Sequence, residues 1–306
     1  MRVLITGSSG LLGRAVARAA PGVVTKMVCA DIASPPSDGL GPGMQFLKLD
    51  MRDRQGVSDA IRDVSPAVII HLASMLASRC EMQPDAAADV NVLGTLSLLE
   101  SAAVNRPRRV VIASSGSVYG QQSDRREGSA IGPPLSTYGL TKLLAEKLGD
   151  RYSAACGIEC VSLRFSLIFS AVEAESNQGE AAAIGRMRRA MAGHDVEVPE
   201  MSSTTWRHFL HATDAANAVW SVATHPGQLS GVYNVAGPDE NFMQLGSVAE
   251  ILGRMAPGMG EVRFTGPTRS GARMCIDKLR TDVGFVPQLT VEDAFREALG
   301  RQGGLG

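Results

Sequence analysis

The chain has 306 residues, 44% of them hydrophobic, and its 30 Lys and Arg against 31 Asp and Glu leave a net charge of −1. That length buries a sizeable core as one large domain, or as a domain with a smaller lobe, and so balanced a charge offers no electrostatic footprint for nucleic acid or an anionic membrane. No apolar run reaches the roughly 18 residues of a membrane span; the N-terminus reads as a strand rather than a signal peptide; and the five cysteines include no C-x-x-C pair, so a cytoplasmic protein without disulfide framework or metal site is expected.

Residues 2 to 6 of RVLITGSSGLLG form an apolar, β-branched run that reads as a buried first strand, and glycines at 7, 10 and 13 turn it directly into the helix of LLGRAVARAA. Gly7 permits the tight turn, Gly10 removes a Cβ that would hold a pyrophosphate off the backbone, and Gly13 lets helix and strand pack closely. The first N–H groups of that helix, with its dipole behind them, face the phosphates. A second apolar strand, 26 to 30, ends in Asp31, which can accept both ribose hydroxyls of an adenosine and repels a 2′-phosphate; NAD rather than NADP is the expected cofactor. Arg14, the nearby cation that could favour NADP, is four residues from Arg18 and reads as lying on the solvent face of the helix.

A Pro/Gly/Ser loop follows, then a third strand ending at Asp50, a polar helix near 53 to 63, a strand at 67 to 73, a long helix from Asp85 to about Asn105, and a strand at 109 to 115. Apolar strands without polar alternation are covered on both faces, which predicts a doubly wound parallel Rossmann sheet in an α/β protein. Ligands of such a sheet lie at the carboxyl ends of its strands. Asp31, Asp50, the segment from His71 to Ser74, and Ser114 with Ser115 all fall there. Cys156 and Cys160 flank Gly157 at a helix-to-strand junction with no histidine nearby and read as packing thiols.

The helix after Pro134 carries the chemistry. Tyr138 and Lys142 are four apart and share a helical face. A tyrosine of pKa about 10 is a poor base at neutral pH, and a neighbouring cation, with the positive nicotinamide, is expected to bring the phenolate into range. Ser115 can hydrogen-bond the substrate oxygen whose proton Tyr138 takes.

These motifs, TGSSGLLG, LKLDMRD, HLAS, DVNVLGTLSLLESA, ASSGSVYG, YGLTK, SLRF, WRHFLHATDAANAV, GVYNVAG and DKLRTDVGF, run nearly end to end. Through them the chain resembles the extended short-chain dehydrogenase/reductases, in particular the NAD-dependent epimerase/dehydratase branch that includes the UDP-galactose 4-epimerases. The resemblance implies an NAD site lined by Gly7, Gly10, Leu11, Leu12, Gly13, Asp31, Ile32, Asp50, Met51, Leu72, Ala73, Ser74, Asn91 and Ser166, with Ser115, Tyr138 and Lys142 as the catalytic triad. It also implies that Arg207 and Arg269 match the arginines that clamp a diphosphate, a task suited to a planar cation, and that a homodimer forms through the helices near 85 to 105 and 138 to 156. Residues 1 to 165, with returning segments from about 205 to 236, would form the dinucleotide-binding domain, and the remainder mainly a substrate-binding lobe.

Two departures narrow the reaction. The related 4,6-dehydratases carry Asp-Glu directly after the triad hydroxyl, whereas this chain has Gly116 and Ser117; the related decarboxylases use a glutamate at the latter position. Neither elimination nor decarboxylation is expected. Where the epimerases place a sugar-nucleotide-contacting asparagine this chain has Leu167, and the loop AVEAESNQGE is acidic, which leaves free sugars, sugar acids and natural-product ketones as substrates beside nucleotide sugars. The expected activity is NAD-dependent oxidoreduction at a secondary hydroxyl of a sugar, as a 4-epimerase or as a net dehydrogenase or ketoreductase. A non-catalytic dinucleotide-binding regulator is the alternative from another class, against which the intact triad argues.

Overall fold

The computed structural model describes residues 1–35, 40–129, 131–171, 181–269 and 271–302. The centre of the Pro/Gly/Ser loop and nearly all of the acidic loop 171–180 lie outside these residues. Its strands are β1 (Arg2–Thr6), β2 (Lys26–Asp31), β3 (Met44–Lys48), β4 (Val68–His71), β5 (Arg109–Ser115), β6 (Cys160–Phe165), β7 (Leu167–Phe169), β8 (Val196–Val198), β9 (Trp206–His211), β10 (Gly231–Val235), β11 (Phe242–Gln244) and β12 (Val262–Phe264).

Seven strands form one sheet in the order β10-β6-β5-β4-β1-β2-β3, every neighbouring pair parallel. Along each strand the side chains alternate between two covered faces, which is why the strands are apolar throughout. Val3, Ile5, Val68, Ile70 and Val111 pack under the helices Leu11–Arg18 and Ala212–Thr224. Leu4, Val28, Ile69, Val110 and Ile112 pack under Arg54–Val64, Gly94–Asn105 and Thr137–Cys156. From β1 the chain winds outward to β3, then returns to β4 on the other side of β1, so the strand order reverses between β1 and β4 and opens a crevice at their carboxyl ends.

The run expected as one helix from Asp85 to Asn105 is interrupted. Pro84–Ala87 and Gly94–Asn105 are α-helical, and Ala88–Leu93 between them forms a π-turn. One extra residue in a turn leaves no mark on hydrophobic periodicity, and such turns concentrate near functional sites. The run Pro84–Asn105 is, by length and composition, long and apolar enough to cross a membrane, but half of it is buried inside the protein, as a core helix is.

β7, β9 and β11 make a separate three-stranded sheet, and β8 pairs with β12. Around them Phe169, Phe209, Leu245, Val248 and Phe295 form a third core, with Phe169 edge-on to Phe209 at 6.0 Å and stacked on Phe295 at 6.3 Å. The chain returns to the large sheet through Ala212–Thr224, whose Trp220 indole donates to the Val16 carbonyl, and through β10 at the sheet edge; β9 stays in the small sheet.

Candidate active site

At the end of β1 the chain turns at Gly7, with φ of +74° and the Ala73 nitrogen 2.5 Å from where a Cβ would stand. A Cβ on Gly13 would collide with the Gly7 carbonyl oxygen. Loop and helix backbones are therefore in contact, and glycine alone permits it. A Cβ on Gly10 would meet only the Gly7 carbonyl oxygen, at an ordinary contact distance of 3.5 Å, so the backbone can be approached here at the N-terminus of Leu11–Arg18. Asp31 closes this corner: its carboxylate accepts from the Ser9 nitrogen at 2.9 Å and the Ala33 nitrogen at 3.0 Å, with lone pairs left for ribose hydroxyls. Asp50 is held by Arg52 at 2.6 Å, whose hydrogen bonds keep its carboxyl below the usual range.

These groups share one crevice of about 1420 Å³ with Leu11, Leu12, Ile32, Met51, Leu72, Ala73, Ser74 and Ser166. The same crevice is lined by Ser115, Tyr138, Lys142, Arg207 and Arg269. Ser166 carries a buried hydroxyl with no partner in the protein; that orphan, the Gly10 cradle and the strand-end Asp31 fit a dinucleotide. Two expectations are corrected. Asn91 does not line the crevice: its amide accepts from the Met75 nitrogen at 2.7 Å and donates to the Met75 carbonyl and to Thr141 Oγ1, so it shapes the crevice wall through Met75. Arg14 is half-buried in the crevice rather than on a solvent face, and its guanidinium donates to the Ser9 carbonyl.

The helix Thr137–Cys156, which carries Tyr138 and Lys142, begins at Ser136, whose Oγ accepts from the Gly139 nitrogen at 3.0 Å, while Glu81 accepts from both the nitrogen and the hydroxyl of Thr137. These caps fix the first turn and so aim Tyr138. Lys142 is buried, donates to the Ala113 carbonyl at 2.9 Å, and has its Nζ 5.6 Å from the centre of the Tyr138 ring. Burial pushes the lysine down to about 8 and the tyrosine up to about 12; the Cys80 thiol adds to the rise of Tyr138 and the hydroxyl of Ser115 opposes it. The lowering expected from Lys142 is thus not met: desolvation dominates Tyr138, and the influence in the lowering direction is the Ser115 hydroxyl. Ser115 caps the 3₁₀ turn Gly116–Tyr119, accepting from the Ser117 nitrogen and donating to Ser117 Oγ, each at 3.1 Å.

On the substrate side Leu167, Ile168 and Met274 line the wall. The Met274 sulfur lies 2.8 Å from where a Cβ on Gly116 would stand, so a side chain at the position of the dehydratase aspartate would have to displace that methionine. Arg52, Glu200 and His208 line the crevice too, and sequence reasoning missed them; His208 follows the expected Arg207 directly and was within reach. His208 is a buried neutral imidazole, its ring pushed down by burial; Nε2 donates to the Gly237 carbonyl and Nδ1 accepts from the Met274 nitrogen.

A family model described as the NAD dependent epimerase/dehydratase family matches residues 3–236. The chain belongs to that family. It is accordingly an NAD-dependent enzyme of the extended short-chain dehydrogenase/reductase type, and NAD is its cofactor. The chain is 28% identical over 221 residues to a putative UDP-glucose 4-epimerase of Methanocaldococcus jannaschii, covering 71% of each chain. It is 26% identical over 227 residues to a D-erythronate dehydrogenase of Haemophilus influenzae, covering 69% of this chain and 72% of the other. The fold is that of the Thermus thermophilus UDP-glucose 4-epimerase in complex with NAD, with a TM-score of 0.87, 24% identity and full coverage of both chains.

Proposed function

We propose that this enzyme carries out oxidoreduction at a secondary hydroxyl of a sugar bearing an anionic group, as a nucleotide-sugar 4-epimerase. The observation that carries the reading is that Arg207 and Arg269, on separate segments, line the same crevice as Ser115, Tyr138 and Lys142. Two planar cations beyond the reacting residues suit a diphosphate. The names of the related UDP-glucose 4-epimerases support it.

When bound, NAD supplies a hydride acceptor and returns the hydride. Tyr138 takes the hydroxyl proton of the substrate through its phenolic oxygen, and Ser115 holds that oxygen by a hydrogen bond. Lys142, fastened to Ala113, keeps a positive charge beneath the tyrosine. The sugar, anchored at the arginines, turns its ketone to the opposite face, and Tyr138 gives the proton back.

A net dehydrogenase on a sugar acid is the second reading, favoured by Leu167 in the wall, which offers no hydrogen bond to a nucleotide sugar; a single carboxylate then takes the place of the diphosphate. Melting with UDP separates them. A ligand that binds only the folded state raises its melting temperature: UDP should do so for the wild type and lose the effect in Arg269→Ala, and no shift at saturating UDP would remove the nucleotide from the proposal.

We assign the enzyme to the cytoplasm, since its cysteines are all free, and to a homodimer. Leu140 and Leu144, four apart on the catalytic helix, and Leu93 on the neighbouring helical run are 48%, 42% and 51% exposed, an apolar patch that a second copy would cover.

A further inference from the structure

Below Lys142 on the catalytic helix, one further turn along the same face, stands Glu146, completely buried. Its carboxylate receives both forks of Arg164 from β6, Nε at 2.8 Å and Nη2 at 2.7 Å, and the hydroxyl of Ser114, the residue before Ser115. Arg164 is itself 2% exposed, lies over the Tyr119 ring at 4.7 Å, and leaves Nη1 without a partner. Burying such a pair costs desolvation that its mutual attraction only partly offsets, and apolar residues of the same volume often hold a core as well. A tie with a scaffold role alone therefore has no need of charge.

We propose that Glu146 is a positioning residue for the reaction, fixing Lys142 beneath Tyr138 and keeping that lysine in its charged form. The inference rests on the reading in which Tyr138 and Lys142 move the substrate proton. The geometry places two links side by side between the catalytic helix and the end of β5: Lys142 to the Ala113 carbonyl, and Glu146 to the Ser114 hydroxyl. The charged and titratable groups around Lys142 are Tyr138 and Glu146 on its own helix, Cys80 from Ala77–Met82 and His71 from β4, with Arg164 behind Glu146. His71 is held neutral by burial and by Lys142 itself; the groups that favour the charged lysine are Cys80 first and then Glu146, the carboxylate among them. From Arg164 the network continues through Tyr119, whose hydroxyl donates to Asn234, to the Cys275 carbonyl beside Met274 in the substrate wall.

The test uses Glu146→Gln and the paired variant Glu146→Leu with Arg164→Met, which removes both buried charges together. Lysines are converted to ¹³C-dimethyl form in the NAD-free protein and the Lys142 resonance is titrated by NMR, with its assignment fixed by Lys142→Arg. The titration midpoint should fall by about one unit in either folded variant, and the alkaline limb of kcat should move down with it while KM changes less than twofold. Glu146→Asp should restore part of both. Folded variants with the wild-type midpoint and profile, or failure of both variants to fold, would assign the pair to the scaffold and overturn the proposal. Because the titration needs no substrate, its failure is distinct from failure of the epimerase reading, in which the wild-type enzyme itself forms no isomer.

Discussion

Lys142 donates to the carbonyl of Ala113 at 2.9 Å, so the helix that presents Tyr138 is fastened to the strand that ends in Ser115. The lysine is positioned by the sheet as well as by its own helix. Burial holds it at about 8, so it loses its charge as pH rises through that value. Turnover should accordingly decline above about pH 8, and Lys142→Arg, whose guanidinium stays charged, should hold its remaining activity flat across that range. A pH profile of kcat for the two proteins checks this.

The Gly13 position tolerates no side chain. A Cβ there would meet the Gly7 oxygen and, at 2.6 Å, the Ser8 Cα, both of them backbone. Gly13→Ala should cost about 1–3 kcal/mol in stability, as overpacking does, and weaken NAD binding at the same time. Chemical denaturation and NAD titration by calorimetry measure the two effects.

His71 makes a prediction of opposite kind. It bridges Thr6 at 2.7 Å and Thr95 at 3.0 Å, and burial first, then Lys142, pushes it down to about 3. Above its unfolded value of about 6.5 both states are neutral; as pH falls from there toward 3 the unfolded chain takes up the proton and the folded one does not, so stability is lost on acidification. His71→Gln should lower the melting temperature at pH 7 and flatten its dependence between pH 6.5 and 4.

Gly116→Asp would set a Cβ 2.8 Å from the sulfur of the buried Met274. Placing the dehydratase pair at 116 and 117 should abolish activity without producing a dehydratase. Adding Met274→Ala should recover melting temperature, because the obstruction is that one side chain.

Much of the crevice lining was legible in the chain. The glycine spacing, the strand-end Asp31 and the Tyr138–Lys142 pair are local patterns, and local patterns survive folding. Asn91 was misplaced because its amide turns to Met75 and Thr141, partners 16 and 50 residues away, and the π-turn that orients it adds one residue that no periodicity shows. Arg14 went to the crevice because the Ser9 carbonyl lies within reach across the glycine turn. Glu146 carried the right spacing, 138, 142, 146, but an i+4 carboxylate on a helix ordinarily faces water; only the partner strand, with Arg164 in register beside Ser114, takes it inside.

In the proposed reading the two arginines hold the anionic part of the substrate. Arg269→Ala should raise KM for an anionic substrate by about 10- to 100-fold, the range expected when a charge-assisted hydrogen bond is lost, and leave kcat within a few-fold of wild type.

Incubating the purified enzyme with NAD and a panel of UDP-sugars, and following the C4 epimer by chromatography together with NADH absorbance, tests the central claim most directly. The account predicts that an epimer accumulates without net NADH and that Tyr138→Phe slows it by about 10²–10⁴-fold. Stoichiometric NADH without an isomer, or a Tyr138→Phe enzyme as fast as wild type, would contradict it.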